Sequence, residues 1–288
     1  MIVAAMGAGC DRGTPPAGNE TAGPAAATDP RVQQARDLMK RAEAAPLPTP
    51  LPPPSPIPRG WKPGPAPEFK PEEIEAVRLL EQSAAANPRQ MEANDLLARA
   101  LEPHAIRAHD RAAAVAAAKG NRKASPPPTP PDQGIDASPA RVARAYRAAV
   151  EAAPTGGEEL ETLIRFGTRV EELDAVDWAH QELIRRAKEN ATAVPLTRYG
   201  DFLRDVKKDV PRALEQYRNA LIWSPDDAAL RAKVADIYLG LAKDHLARQE
   251  YAATELNVRE AAKYVSDRAS TQGRMLADFQ KRLAEIRR

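Results

Sequence analysis

The sequence predicts an all-α protein built as a stack of helical hairpins. Three observations carry this. Of 28 prolines, 24 precede residue 140, which leaves the second half free of helix breakers except at Pro154, Pro195, Pro211 and Pro225. That half is rich in Ala, Leu, Glu, Lys and Arg, and it lacks alternating β-branched runs and Asn-Gly or Asp-Gly hairpin pairs. A pattern of small and large apolar residues also recurs along the chain.

Residues 1–10 (MIVAAMGAGC) are a short apolar stretch ending in the single cysteine, Cys10. They resemble the end of a bacterial lipoprotein signal, with Ala8 and Gly9 before the cysteine, although Gly7 stands where leucine is usual and no basic segment precedes it. The resemblance implies lipidation at Cys10 and a place at the cell envelope, on the periplasmic face or exterior. The alternative is an incidental thiol in a cytoplasmic chain.

Residues 11–70 read as a disordered Pro/Ala-rich tether. The stretch 11–32 is small and polar, and 46–71 holds 12 prolines in 26 positions, which suits extended polyproline II. Between them, Pro30 to Ala45 has room for one short, weakly amphipathic helix.

The ordered elements are expected from 71 onward: first helices over 71–102, an Ala/Pro-rich insertion over 103–139, and further repeats over 140–266. Ala213, Tyr217, Ala220 and Pro225 stand at offsets of 4, 7 and 12. The same offsets give Ala179, Leu183, Arg186 and Ala191; then Val142, Tyr146, Ala149 and Pro154; then Ala76, Leu80, Ser83 and Pro88. Such spacing places three groups on one helical face before a terminating position. A large–small–x–x–large pattern precedes or follows each set: Leu97-Ala98 and Leu101, Phe166-Gly167 and Val170, Tyr199-Gly200 and Leu203, Val234-Ala235 and Tyr238. Ala213 lies 34 residues after Ala179, and the 66-residue spacing from Ala76 to Val142 exceeds one such period by the length of the insertion.

These residues resemble the tetratricopeptide repeat, a 34-residue helix–turn–helix unit that stacks into an α-solenoid. The copy from Tyr199 to Pro225 is the most complete; that from Phe166 departs at Arg186 and Ala191. By the resemblance, the first helix of each hairpin lines a concave groove for a protein or peptide. The groove positions fall on Glu92, Asp95, Arg99 and Glu102; on Glu161, Ile164, Thr168 and Glu171; on Thr197, Asp201 and Arg204; and on Asp236 with Lys233 beside it. The family's Lys/Asn clamp for a C-terminal carboxylate is missing. The acid-leaning mixture favours a partner of some basic character.

Residues 267–288 read as a capping helix with Met275, Phe279 and Leu283 in one stripe, since a solenoid must cover its open end. Trp178 and Trp223 are expected to fill gaps between helices, while Trp61 sits in the tether.

Composition excludes several classes. No window of 18 apolar residues exists for a membrane span. One cysteine forbids an internal disulfide framework. His104 and His109 would lie about 140° apart around a helix, not paired as zinc ligands. No nucleophile elbow or phosphate-binding glycine loop occurs. A balance of 42 basic and 40 acidic residues gives no reason to expect nucleic acid. The expectation is a non-enzymatic interaction scaffold without cofactor or metal, binding protein or peptide and meeting a membrane only through a lipid. A structural subunit of a larger envelope complex is the alternative.

Overall fold

The computed structural model describes residues 29–45, 69–120, 134–153, 157–187 and 193–286. These form eleven α-helices and no strand: α1 (Pro30–Ala44), α2 (Pro71–Ala86), α3 (Met91–Gly120), α4 (Pro139–Ala152), α5 (Glu158–Arg169), α6 (Leu173–Ala187), α7 (Ala193–Asp205), α8 (Val210–Trp223), α9 (Ala228–Ala247), α10 (Tyr251–Ala262) and α11 (Thr271–Ile286).

Many starts are written locally. Proline occupies the first turn of α1, α2, α4 and α8, where its missing N–H costs no hydrogen bond. Side chains of Asp29, Ser138, Asp209 and Asp227 cap α1, α4, α8 and α9 by accepting from backbone N–H groups. Three hairpin turns close through a left-handed residue: Glu171 (φ 60°), Lys208 (φ 58°) and Gln249 (φ 61°).

Consecutive helices pack in pairs: α1 with α2, α3 with α4, α5 with α6, α7 with α8, α9 with α10. Helix α11 lies against α9 and α10. Small residues let the partners approach. Gly167 faces Val176, and Gly200 faces Tyr217; a Cβ at either glycine would lie 2.6 Å from the facing side chain. Ala98 and Ala235 are fully buried in α3 and α9. Two apolar clusters follow, one from α1 to α6 and one from α6 to α11, and both meet Ile164.

Four expectations change. The tether over 11–70 is interrupted by α1, which buries Val32 and Ala35 against α2. The Ser83 hydroxyl donates to the Asp29 carboxylate at 2.8 Å, and Lys70 donates to the carbonyl of Ala45 at 2.7 Å. No 34-residue period marks α1, because a Pro-rich segment separates it from α2. The insertion expected to start at 103 begins as a continuation of α3, which runs through Pro103 and buries His104 and Ala105. Met275 leaves the buried stripe and is 38% exposed, while Phe279 and Leu283 stay buried. Trp223 is 55% exposed and fills no gap; Trp178 packs on the first cluster with Arg147 4.5 Å above its ring. Cys10 and Trp61 lie outside the described residues.

Arg186 explains a departure from the repeat pattern. Where a small residue is usual, its guanidinium donates to the carbonyls of Ala153 (3.0 Å) and Val150 (2.8 Å), closing the C-terminus of α4. The neighbouring Glu182 carboxyl is held down at about 2 by hydrogen bonds from Arg185, against its own desolvation, with Arg186 adding to the effect.

Candidate partner-binding face

The first helices of successive hairpins share one face, and its charges are organised as cross-repeat bridges. Glu92 on α3 pairs with Arg36 on α1. Asp95 accepts from Arg99 at 2.8 Å, and Arg99 reaches on to Glu158 of α5 at 3.3 Å. Glu102 accepts the Tyr146 hydroxyl and lies 4.0 Å from Arg165 of α5. Glu161 on α5 meets Arg198 on α7 at 2.5 Å. Asp201 on α7 accepts from Lys233 on α9 at 2.5 and 2.7 Å, and from the Tyr217 hydroxyl at 2.6 Å. Asp236 on α9 accepts from Gln272 on α11 at 3.0 Å.

Every step between neighbouring first helices is therefore bridged. Most of these bridges are partly exposed, so each contributes at most about 1 kcal/mol. Their repetition fixes which charges remain available. Arg204 is taken up by Asp205 at 2.7 and 2.9 Å, with Asp201 at 3.9 Å. The Thr197 hydroxyl turns inward to the Ala193 carbonyl at 2.9 Å. Thr168 is exposed, and Glu171 sits in the turn after α5. Ile164 is partly buried between the clusters.

Burial shifts several of these groups. Desolvation raises the Asp95 carboxyl against the opposing pull of Arg99. Desolvation, then the hydrogen bond to Asp201, pushes the Tyr217 phenol up; Tyr146 responds likewise with Glu102. Tyr199, which donates to Asp177 at 2.7 Å, is pushed up to about 12, chiefly by desolvation.

The repeat-signature residues supply the support beneath. Phe166, Ala179, Tyr199, Ala213, Tyr217, Ala220, Ala235 and Tyr238 are buried, while Pro225 is an exposed turn residue. Arg36, Glu158, Arg165, Arg198 and Gln272 were absent from the sequence reading of this face. The signal that could have found them is an opposite charge about one repeat away from each groove position.

Two histidines are buried for structural reasons. His104 stacks on Phe69 at 3.5 Å between centroids, and desolvation lowers it to about 3. His180 lies 5.4 Å from Tyr199 and 5.2 Å from Phe202, lowered to about 4 by desolvation. Among the described residues no group of three or more His, Cys, Asp or Glu side chains could hold a metal ion, and no helix is long and apolar enough to cross a membrane. The clefts are open and lie between helices; one of about 550 Å³ runs between α9 and α11, lined by Leu246, Met275 and Phe279.

No family model and no curated protein matches the chain. Solved structures do. A crystal structure of MamA is 14% identical over 74% of this chain and 92% of that one, with a TM-score of 0.33. MamA from Desulfovibrio magneticus RS-1 is 10% identical over 91% and 97%, with a TM-score of 0.34. A tetratricopeptide repeat protein from Parabacteroides merdae is 11% identical over 86% and 99%, with a TM-score of 0.26. These superpositions are loose, and the fold assignment rests on the helix pairs themselves. The chain is a tetratricopeptide-like α-solenoid of stacked helical hairpins.

Proposed function

We propose that the chain is a non-enzymatic scaffold that holds a protein or peptide along the face shared by its first helices. The observation that supports this reading is the row of polar side chains from Glu92 to Asp236, supported by a buried apolar stack and covered by no other helix. Because the row alternates in sign and is largely paired within itself, it suits a partner that presents both charges and exchanges into the bridges. A highly charged polymer of one sign would gain little there. In the same reading Cys10 carries a lipid anchor and the solenoid works at a bacterial envelope. Affinity capture with the full chain tests the binding role. A retained protein whose affinity drops at least tenfold in Arg198→Glu and in Asp236→Lys supports it; retention insensitive to both variants contradicts it.

A permanent assembly role has its own supporting observation. Ile222 is 74% and Leu256 59% exposed, and Trp223 stands beside Ile222 on α8. Large apolar groups in solvent are what a constitutive interface covers. A chain that stays monodisperse and monomeric at high concentration speaks for the reversible scaffold.

A further inference from the structure

The two faces of the stack are bridged differently. On the first-helix face every step is linked. On the second-helix face α2 and α4 are joined by Glu81 and Arg141, α4 and α6 by Arg186 on the carbonyls of Val150 and Ala153, and α6 and α8 by Asp177 and Arg212 at 3.5 Å. Among the described residues no ion pair or hydrogen bond joins α8 to α10. An open cleft of about 470 Å³ stands there instead, lined by Leu214, Leu221 and Ile222 of α8 and by Tyr264 just beyond α10. At the same step the first-helix face carries one bridge, Asp201 with Lys233.

We propose that the Asp201–Lys233 pair is a latch that holds this step open on the second-helix face. Its release lets α9, α10 and α11 rock against α8 and close the cleft. The physical balance is small on both sides. The pair is about one-third exposed, with side-chain exposures of 34% and 29%, so salt and competing charges reach it. Closing the cleft removes Leu214, Leu221 and Ile222 from water, which favours the closed arrangement once the latch is gone. Asp201 remains anchored by the Tyr217 hydroxyl, so loss of Lys233 alone opens the latch without freeing the carboxylate. A partner's cation on Asp201 acts as salt does, which would couple occupancy of the first-helix face to the shape of the opposite face. No other step offers this, because each has a polar bridge on both faces or lacks an open apolar cleft on the second.

The test is the distance between spin labels on Ile222→Cys and Leu256→Cys, in the full chain with Cys10→Ser. In low salt the distance should be long and narrowly distributed. Lys233→Met, or molar sodium chloride on the parent, should shorten it, and the swap Asp201→Lys with Lys233→Asp should restore it in low salt. An unchanged distance in Lys233→Met with undiminished helical circular dichroism overturns the latch. So does a swap that leaves the distance short. Should Lys233→Met fail to fold, the salt titration of the parent decides by the same readout: shortening supports the latch and constancy overturns it.

Discussion

Gly200 on α7 faces the ring of Tyr217 on α8 so closely that a Cβ at residue 200 would lie 2.6 Å from Cε1 and 2.8 Å from Cδ1. The ring cannot swing away freely, because its hydroxyl donates to Asp201 at 2.6 Å. One glycine thus sets the spacing of a hairpin and places a groove carboxylate.

Gly200→Ala should therefore overpack the α7/α8 interface and cost about 1–3 kcal/mol. Urea unfolding followed by circular dichroism checks this. Gly240→Ala is the control: a Cβ there meets nothing within 4 Å, and alanine is the better helix former. It should be neutral or slightly stabilising.

Ala213→Arg should be more severe. Ala213 is fully buried in the second cluster, and the guanidinium would enter without a partner. Burial of an unpaired charge costs several kcal/mol, enough to melt this hairpin. Hydrogen exchange should show α7 and α8 unprotected while α1 to α4 retain protection. An unchanged melting curve would remove this register.

Gln249→Gly should stabilise. Gln249 holds φ 61° in the α9/α10 turn, where Glu250 N–H closes back on the His245 carbonyl at 2.9 Å. A residue with a Cβ pays about 1 kcal/mol for that conformation, and glycine does not. A higher urea midpoint with an unchanged slope is expected.

His180 predicts a pH dependence. Burial among Tyr199 and Phe202 lowers its pKa from 6.5 to about 4, with Asp177 opposing and Arg198 reinforcing the shift. A lowered folded pKa means that the unfolded chain binds the proton first. The contribution is complete above pH 6.5 and is lost as pH falls toward 4. His104 adds in the same sense down to about 3. The urea midpoint should fall between pH 6.5 and 4.5, and His180→Phe should flatten that slope. An equal slope in the variant would show that His180 is not buried neutral.

The legible part of this protein was its hairpin register. Phe166-Gly167, Tyr199-Gly200 and the alanines at 179, 213 and 220 declare close helix contacts by residue size alone. Helix α1 was not legible as part of the stack, because its partner lies beyond a proline segment and its buried residues, Val32, Ala35 and Ala42, are few and small. Pro103 misled for a local reason: a helix whose flanking Leu101, His104 and Ala105 are buried can tolerate a proline that a bare helix cannot. The face itself was half legible. Asp201 and Asp236 were chosen by position, but their pairing with Lys233 and Gln272 depends on how neighbouring hairpins stack, which no single repeat encodes.

Carbodiimide footprinting of carboxylates in the full chain, alone and with the protein it retains on affinity capture, tests the proposed binding face most directly. Protection of Glu158, Glu161 and Asp236, with Glu215 and Glu260 on the second helices still labelled, is the expected result. Protection confined to Glu215 and Glu260 would contradict it and place the partner on the opposite face.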